Sequence, residues 1–442
     1  MRIAVIGLGK LGCPMAALLA AAGHDVTGAD LNPAFVDAVN EARAPVIEPG
    51  LEALMVLAKD RLSATTSVEA AAERSEIAFC IVPTPSLPDS SFDTSHAESA
   101  FEGIGRAWRQ AGDARRVAVL TSTVLPGATE ARIRPALERG AGRPVGDDLG
   151  LCYSPEFIAL GTVIENMRHP DMILMGASAR WAADTAIGAI RSISGDDVPV
   201  AAMSIVDAEV TKIAVNTYIT TKISYANMIG EVCEQLPGAD AAVVTAALGL
   251  DTRIGRKYIQ PAAPYGGPCF PRDNAAFAGL ARSLGLEADI AVATDTVNRR
   301  QVGRLVARLR RELATGNRVA VLGLTYKPAT PVVEEAFGLL VANALAEAGY
   351  EVGAYDPMAE VSARAALDPG VQLAESAVSA LKGARAAVVA TPWAEFAEIE
   401  RLDGVELLFD YWRIVPPRAL DPTAIVSYPG SGPRPAGQLA LG

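Results

Sequence analysis

The chain opens on "RIAVIGLGKLG", and this stretch constrains its fold more than any other. Residues 2–6 are a short apolar run, the pattern of a strand buried on both faces. Gly7, Gly9 and Gly12 follow, then an alanine-rich helical pattern to about Ala22. A second strand, "DVTGAD", ends on Asp30. GxGxxG alone is a weak signal. Between a strand and a helix, with an acid closing the next strand, each glycine has a reason. The first permits a tight turn, the second lets a pyrophosphate approach the backbone, and the third lets helix and strand pack closely. The helix N terminus offers N–H groups to phosphate oxygens. Asp30 can accept from both ribose hydroxyls and would repel a 2′-phosphate, which predicts NAD rather than NADP. The competing reading is a plain turn followed by a surface aspartate.

Further buried strands are predicted at "EIAFCIV", "RVAVLTS", "LGLCYS" and "DMILMG", with helical patterns between several of them. That alternation implies a parallel doubly wound sheet. One long helical pattern then runs from about Ser204 to Gln235. After a composition shift around 305–317 come "RVAVLGLTYKP", "YEVGAYDP", "ARAAVVATP" and "VELLFDYW", which read as a second, smaller doubly wound domain. The expected fold class is α/β: two Rossmann-like doubly wound domains joined by a central long-helix domain. The expected boundaries are 1–200 for the NAD-binding domain, 201–305 for the central one and 306–428 for the last. The Pro/Gly-rich residues 429–442 are expected to form a disordered tail.

A length of 442 residues suits two or three domains. A net charge of −12 speaks against a nucleic-acid partner, which calls for a basic footprint. No apolar run approaches the ~18 residues of a membrane span, and the N terminus enters a strand at once, so neither membrane nor signal peptide is expected. The cysteines, Cys13, Cys80, Cys152, Cys233 and Cys269, are odd in number, widely spaced and without CxxC. Reduced thiols in a cytoplasm are expected. His24, His96 and His169 are scattered and read as structural, with no metal site. Arg299, Arg300, Arg304, Arg308, Arg310 and Arg311 fit one helix, more readily as a solvated face than as an anion site.

Two stretches point to chemistry. Glu209, Lys212, Asn216, Thr220, Ile223 and Asn227 recur at helical spacing and share one face of the long helix. An ordinary solvent face is one reading. The other is that Lys212 and Asn216 aim an ammonium and an amide N–H at one oxygen, as in an oxyanion hole. In "YGGPCFPRD", Tyr265 to Asp273, Cys269 is either a buried structural thiol, the commoner fate of a free cysteine, or a nucleophile.

These pieces together resemble the UDP-glucose/GDP-mannose dehydrogenase family, the nucleotide-sugar 6-dehydrogenases, over about residues 1–415. The motifs come in the family's order: GxGxxG, "EPGLE" at 48–52, "VPTP" at 82–85 with Asp93 beyond, "STVLPG" at 122–127, "SPEF" at 154–157, the Lys212/Asn216 helix, "RIGRKY" at 253–258, "YGGPCFPRD", "GLTYKP" at 323–328 and "YDP" at 355–357. The Cys269 stretch is the most specific, being similar to GGxCFPKD.

The resemblance implies a four-electron oxidation of a sugar C6 alcohol with two NAD. It makes Cys269 the nucleophile that captures an aldehyde as a thiohemiacetal and carries the acid as a thioester; a thiolate both attacks and leaves well. It implies that Lys212 and Asn216 stabilise the oxyanion, that Asp273 and Thr123 position water and hydroxyl, and that Glu156 is the general base. Gly7, Gly9, Leu11, Gly12, Asp30, Pro83, Thr84, Thr123 and Arg272 would line the cofactor. Glu156, Phe157, Lys212, Asn216, Arg253, Tyr258, Tyr265, Gly266, Phe270, Tyr326 and Lys327 would meet a UDP- or GDP-linked sugar, Arg253 across a subunit contact. The glycines beside Cys269 would let substrate and cofactor approach the backbone. The long helix would build a homodimer.

The chain departs from the family pattern in places. The second carboxylate of PEFxxEG is Leu160, the Lys of the cysteine loop is Arg272, and Met228 replaces a Glu after Asn227. The usual Arg of the "DxRES"-like segment is Glu334, and the "DGRN"-like segment reads "DYWR", ending in Arg413. These changes spare the redox residues and cluster around the substrate. Two other readings are a two-electron β-hydroxyacid dehydrogenase, which needs no cysteine and no third domain, and a non-catalytic homologue that only binds a nucleotide sugar.

Overall fold

A computed structural model describes residues 1–109 and 114–432. The chain forms two compact units, residues 1–214 and 215–442.

In the first unit, short apolar runs give eight strands: β1 (Arg2–Ile6), β2 (Asp25–Ala29), β3 (Leu62–Thr65), β4 (Ile77–Cys80), β5 (Arg116–Leu120), β6 (Leu149–Tyr153), β7 (Ile173–Ala177) and β8 (Val200–Met203). Their order in the sheet is β3-β2-β1-β4-β5-β6-β7-β8. Strand residues alternate between faces. Ile3 and Val5 accordingly enter one core cluster, and Ala4 and Ile6 the other. The sheet is parallel except at one place: β7 runs antiparallel to β6, with Tyr153 opposite Gly176. The wholly parallel expectation is corrected there. Strands β3 and β8, absent from the sequence reading, are the two edges of the sheet. β3 mixes polar and apolar residues, LSAT, and β8 is apolar but only four residues long, VAAM.

The second unit holds the helices Ala241–Leu248, Phe270–Ser283 and Asp289–Glu312, then a parallel sheet of β9 (Arg318–Leu322), β10 (Glu351–Tyr355), β11 (Val371–Leu373), β12 (Ala386–Val389), β13 (Leu407–Asp410) and β14 (Ile425–Ser427). The strand order is β11-β10-β9-β12-β13-β14. The boundary expected at 305/306 falls inside the continuous helix Asp289–Glu312. That helix buries Leu305 and Leu309 in one cluster with Val319 and Val321 of β9, so the central segment and the last sheet share a core. The boundary expected at 200/201 falls within β8.

Of the tail expected to be disordered, residues 429–432 are held. Gly430 N–H donates to Glu234 at 3.1 Å, and Gly432 N–H to the Ala239 carbonyl at 2.9 Å. Residues 433–442 lie outside the described residues.

Candidate active site

The turn after β1 excludes side chains by contact. Gly7 sits at φ +96°, and a Cβ there would lie 2.4 Å from the Ile81 carbonyl oxygen. A Cβ at Gly12 would fall 1.8 Å from the Gly7 oxygen, so the helix Gly12–Ala21 packs closer than any side chain permits. A Cβ at Gly9 would meet no protein atom within 4 Å, which leaves the approach a pyrophosphate requires. At the end of β2, Asp30 accepts from Leu8 N–H on Oδ2 and from Asn32 N–H on Oδ1, each at 2.8 Å. Each oxygen keeps a lone pair for a ribose hydroxyl. These residues fit NAD. Leu11 packs against the core behind the turn. Pro83 and Thr84 follow β4, and the Thr84 hydroxyl donates to the Thr123 carbonyl at 2.7 Å.

Thr123 follows β5, and Glu156 follows its neighbour β6. The buried Lys212 ammonium donates to the Glu156 carbonyl at 2.8 Å and stands 4.5 Å from the centre of the Phe157 ring, a cation–π contact. Glu156 lines a mostly apolar cavity of about 20 Å³ with Met15, Leu19, Phe79 and Met167. Burial of its carboxyl pushes it up to about 7, against the pull of the Lys212 ammonium. A carboxyl titrating there is suited to take a proton from water. Leu160, in the place of the second carboxylate, packs on the apolar core instead.

In the second unit Cys269 is exposed, while the other four cysteines are buried. It is the N-cap residue of the helix Phe270–Ser283, where the helix dipole favours negative charge. Asp273, four residues on, donates its N–H back to the Cys269 carbonyl at 2.8 Å. Its buried carboxylate accepts from Asn216 Nδ2 at 2.6 Å on one oxygen and from Arg272 Nε at 3.2 Å on the other. Phe270 meets Tyr258 and Tyr265 edge to face, each at 6.4 Å between ring centres. The helix Ile205–Cys233 carries both Lys212 and Asn216, one turn apart.

The structure gives several of the expected residues partners within the chain. The polar stripe is not a solvent face: Glu209, Lys212, Asn216, Thr220 and Asn227 are all buried. Asn227 accepts from Ala262 N–H, and Thr220 meets Asn274, so these two hold structure. Gly266 and Gly267 are required by the protein itself. A Cβ at Gly266 would lie 2.2 Å from the Glu335 oxygen, and one at Gly267 2.6 Å from the Tyr326 ring. The Tyr265 backbone is pinned on both sides by Asn298, and its hydroxyl reaches Asp295 at 3.5 Å. The exposed Arg253 pairs with Asp251 two residues away. Arg300 and Arg304 pair with Glu231 on the long helix, whereas Arg299 and Arg308 pair with acids of their own helix and Arg310 and Arg311 are exposed, so two of the run clamp helices and the rest faces solvent as expected. Arg413 grips Asp240 through two bonds of 2.6 and 2.9 Å and lies over Tyr428. Lys327 is half-buried in the segment after β9, and Glu334 is exposed. The sequence placed Glu209 in the stripe without a role. An acid on an otherwise apolar helical stretch was the available signal.

The fold and the turn at Gly7–Gly12 define the class: an NAD-dependent oxidoreductase. Sequence models of the UDP-glucose/GDP-mannose dehydrogenase family match three segments, the NAD-binding domain at residues 1–190, the central domain at 206–300 and the UDP-binding domain at 320–417. The chain belongs to that family and is a nucleotide-sugar 6-dehydrogenase. It is similar to UDP-glucose 6-dehydrogenase AglM of Haloferax volcanii, 37% identical over 404 residues that span 90% of this chain and 93% of the relative. It is also similar to GDP-mannose 6-dehydrogenase of Pseudomonas aeruginosa, 31% identical over 80% of this chain and 81% of the relative. The structure of a UDP-glucose dehydrogenase from Pyrobaculum islandicum superposes with a TM-score of 0.86 at 34% identity, covering 96% of each chain. A β-hydroxyacid dehydrogenase needs no counterpart to residues 320–417, so that alternative falls.

Proposed function

We propose that the protein oxidises the C6 alcohol of a UDP-linked hexose to the carboxylate through a thioester on Cys269. The observation that carries this is the exposed Cys269 at a helix N terminus, with Asp273 of the same helix bonded to Asn216. NAD, when bound, supplies the electron acceptor for both two-electron oxidations. Thr123 holds the alcohol for the first. The Cys269 thiolate adds to the aldehyde carbon, forming a C–S bond and an alkoxide that Lys212 and Asn216 stabilise. Oxidation of this thiohemiacetal gives the thioester. Glu156 takes a proton from water, water adds, and the C–S bond breaks to return the thiol and release the acid. A UDP-linked sugar is favoured by the match to a UDP-binding domain and by the higher identity to a UDP-glucose enzyme.

The long helix supports a homodimer. It buries its polar stripe and exposes Tyr218, Tyr225, Met228 and Val232, which recur at helical spacing on another face. The free cysteines support a reducing compartment, the cytoplasm. Among the described residues no helix is long and apolar enough to cross a membrane.

The experiment is a panel of UDP- and GDP-linked sugars assayed for NADH, with Cys269→Ala beside the parent. UDP-glucose should give two NADH per sugar with the parent and no acid with the variant. An alanine variant that still yields two NADH per sugar within about tenfold of the parental rate would remove Cys269 from the mechanism.

A further inference from the structure

Glu209 has no exposed surface (0%). A buried carboxylate is costly unless its oxygens are satisfied, and both are. Gly127 N–H donates to Oε2 at 2.6 Å, and Thr129 N–H donates to Oε1 at 2.8 Å. Gly127 closes the loop Ser122–Gly127 at φ +91°, a conformation that favours glycine. The other end of that loop is already fixed. Thr84 donates to the Thr123 carbonyl at 2.7 Å, and Ser122 donates to the Val82 carbonyl at 2.6 Å.

Three residues after Glu209, on the same helix face, Lys212 donates to the Glu156 carbonyl. One helix turn therefore holds two loops, the one after β5 and the one after β6. These strands are neighbours, and the loops leave their carboxyl ends, where sheets of this kind bind ligands.

We infer that Glu209 is a positioning residue, fixing the loop that carries Thr123 against the helix that carries Lys212. This rests on the roles proposed above for Thr123 and Lys212. Glu209 touches backbone amides and acts only through the groups it places. In Glu209→Gln one oxygen becomes an NH₂ group facing a backbone N–H, so one bond is lost while the shape is kept. Misplacing a reacting group by about 1 Å can cost about 10²-fold.

The test uses the full-length enzyme with NAD and its sugar nucleotide. Glu209→Gln should lower kcat by about 10- to 100-fold while both KM values stay within about threefold. No acyl adduct should accumulate on Cys269, because the slowed steps precede it. Glu209→Asp, which keeps the charge and shortens the reach, should show the same split, and it serves if the glutamine variant does not fold. In a Thr123→Ala background Glu209→Gln should cost less than about threefold further, since the group it places is gone. A glutamine variant within about twofold of parental kcat, or a full additive loss in the Thr123→Ala background, overturns the inference. Thr123→Ala at parental rate would instead remove the proposed role of Thr123, and with it the reason for placing that loop.

Discussion

Glu156 is pulled in opposite directions. Its cavity disfavours charge, Lys212 favours it, and burial wins, leaving the carboxyl at about 7 against an ordinary 4.5. With Leu160 packed on the core, Glu156 is the acid its loop offers for hydrolysis. Glu156→Gln should therefore slow thioester hydrolysis by about 10²–10⁴-fold and spare the earlier steps. A burst of NADH followed by a slow steady state, with one acyl group on Cys269 by intact mass, is the expected result. Uniform slowing without burst or adduct would assign Glu156 to an earlier step. In the parent, hydrolysis should rise with pH through about 7 and then level. The folded state holds this proton more tightly than the unfolded chain, so the raised value lowers stability as pH climbs from 4.5 to 7. The melting temperature of Glu156→Gln should gain on the parent over that window. The motif marked this residue in the sequence. Its titration was not legible there, because the apolar wall comes from Met15, Phe79 and Met167, distant in the chain.

Two elements repeat one construction. In the first sheet Gly12 packs on the Gly7 oxygen, and Leu8 N–H donates to Asp30. In the second, a Cβ at Gly338 would lie 1.9 Å from the Gly323 oxygen, and Leu324 N–H donates to Asp356 at 2.8 Å. The copies differ in what the acid has left. Asp356 Oδ2 also accepts from Thr325 N–H, the Thr325 hydroxyl and Trp393 Nε1, while Oδ1 accepts from Met358 and Ala359. Asp30 alone of the pair retains acceptors for a ribose. Asp30→Ala should lower the NAD-to-NADP ratio of kcat/KM by about tenfold or more, since a like-charge contact with the 2′-phosphate is removed. Asp356→Ala should leave that ratio unchanged and lower the melting temperature. An unchanged ratio in Asp30→Ala would sink this reading of the turn. The two turns and the central strands could be read from the sequence because burial on both faces writes continuous apolar runs. The missed strands β3, β8, β11 and β14 are the four sheet edges: β3, β11 and β14 mix polar with apolar residues, and β8, though apolar, is four residues long.

At the scale of the molecule, the helix Ile205–Cys233 inverts the usual surface rule, with polar residues inside and Tyr218, Tyr225, Met228 and Val232 outside. Tyr225→Asp with Val232→Glu should shift the mass by light scattering from twice the 46.0 kDa of the chain toward one chain. A parent already at 46.0 kDa would exclude the dimer. The sequence marked the segments proposed to be catalytic but not the shared core of residues 215–432, because the helix Asp289–Glu312 shows no sign in its own pattern of which sheet it will cover. The contrast between Cys269 and its four buried fellows reaches into the handling of the protein. An alkylating reagent applied to the native chain finds one accessible thiol. On the role proposed for Cys269, the count of labels per chain is a titre of competent enzyme, and slow air oxidation of a stored sample should remove activity by the same count.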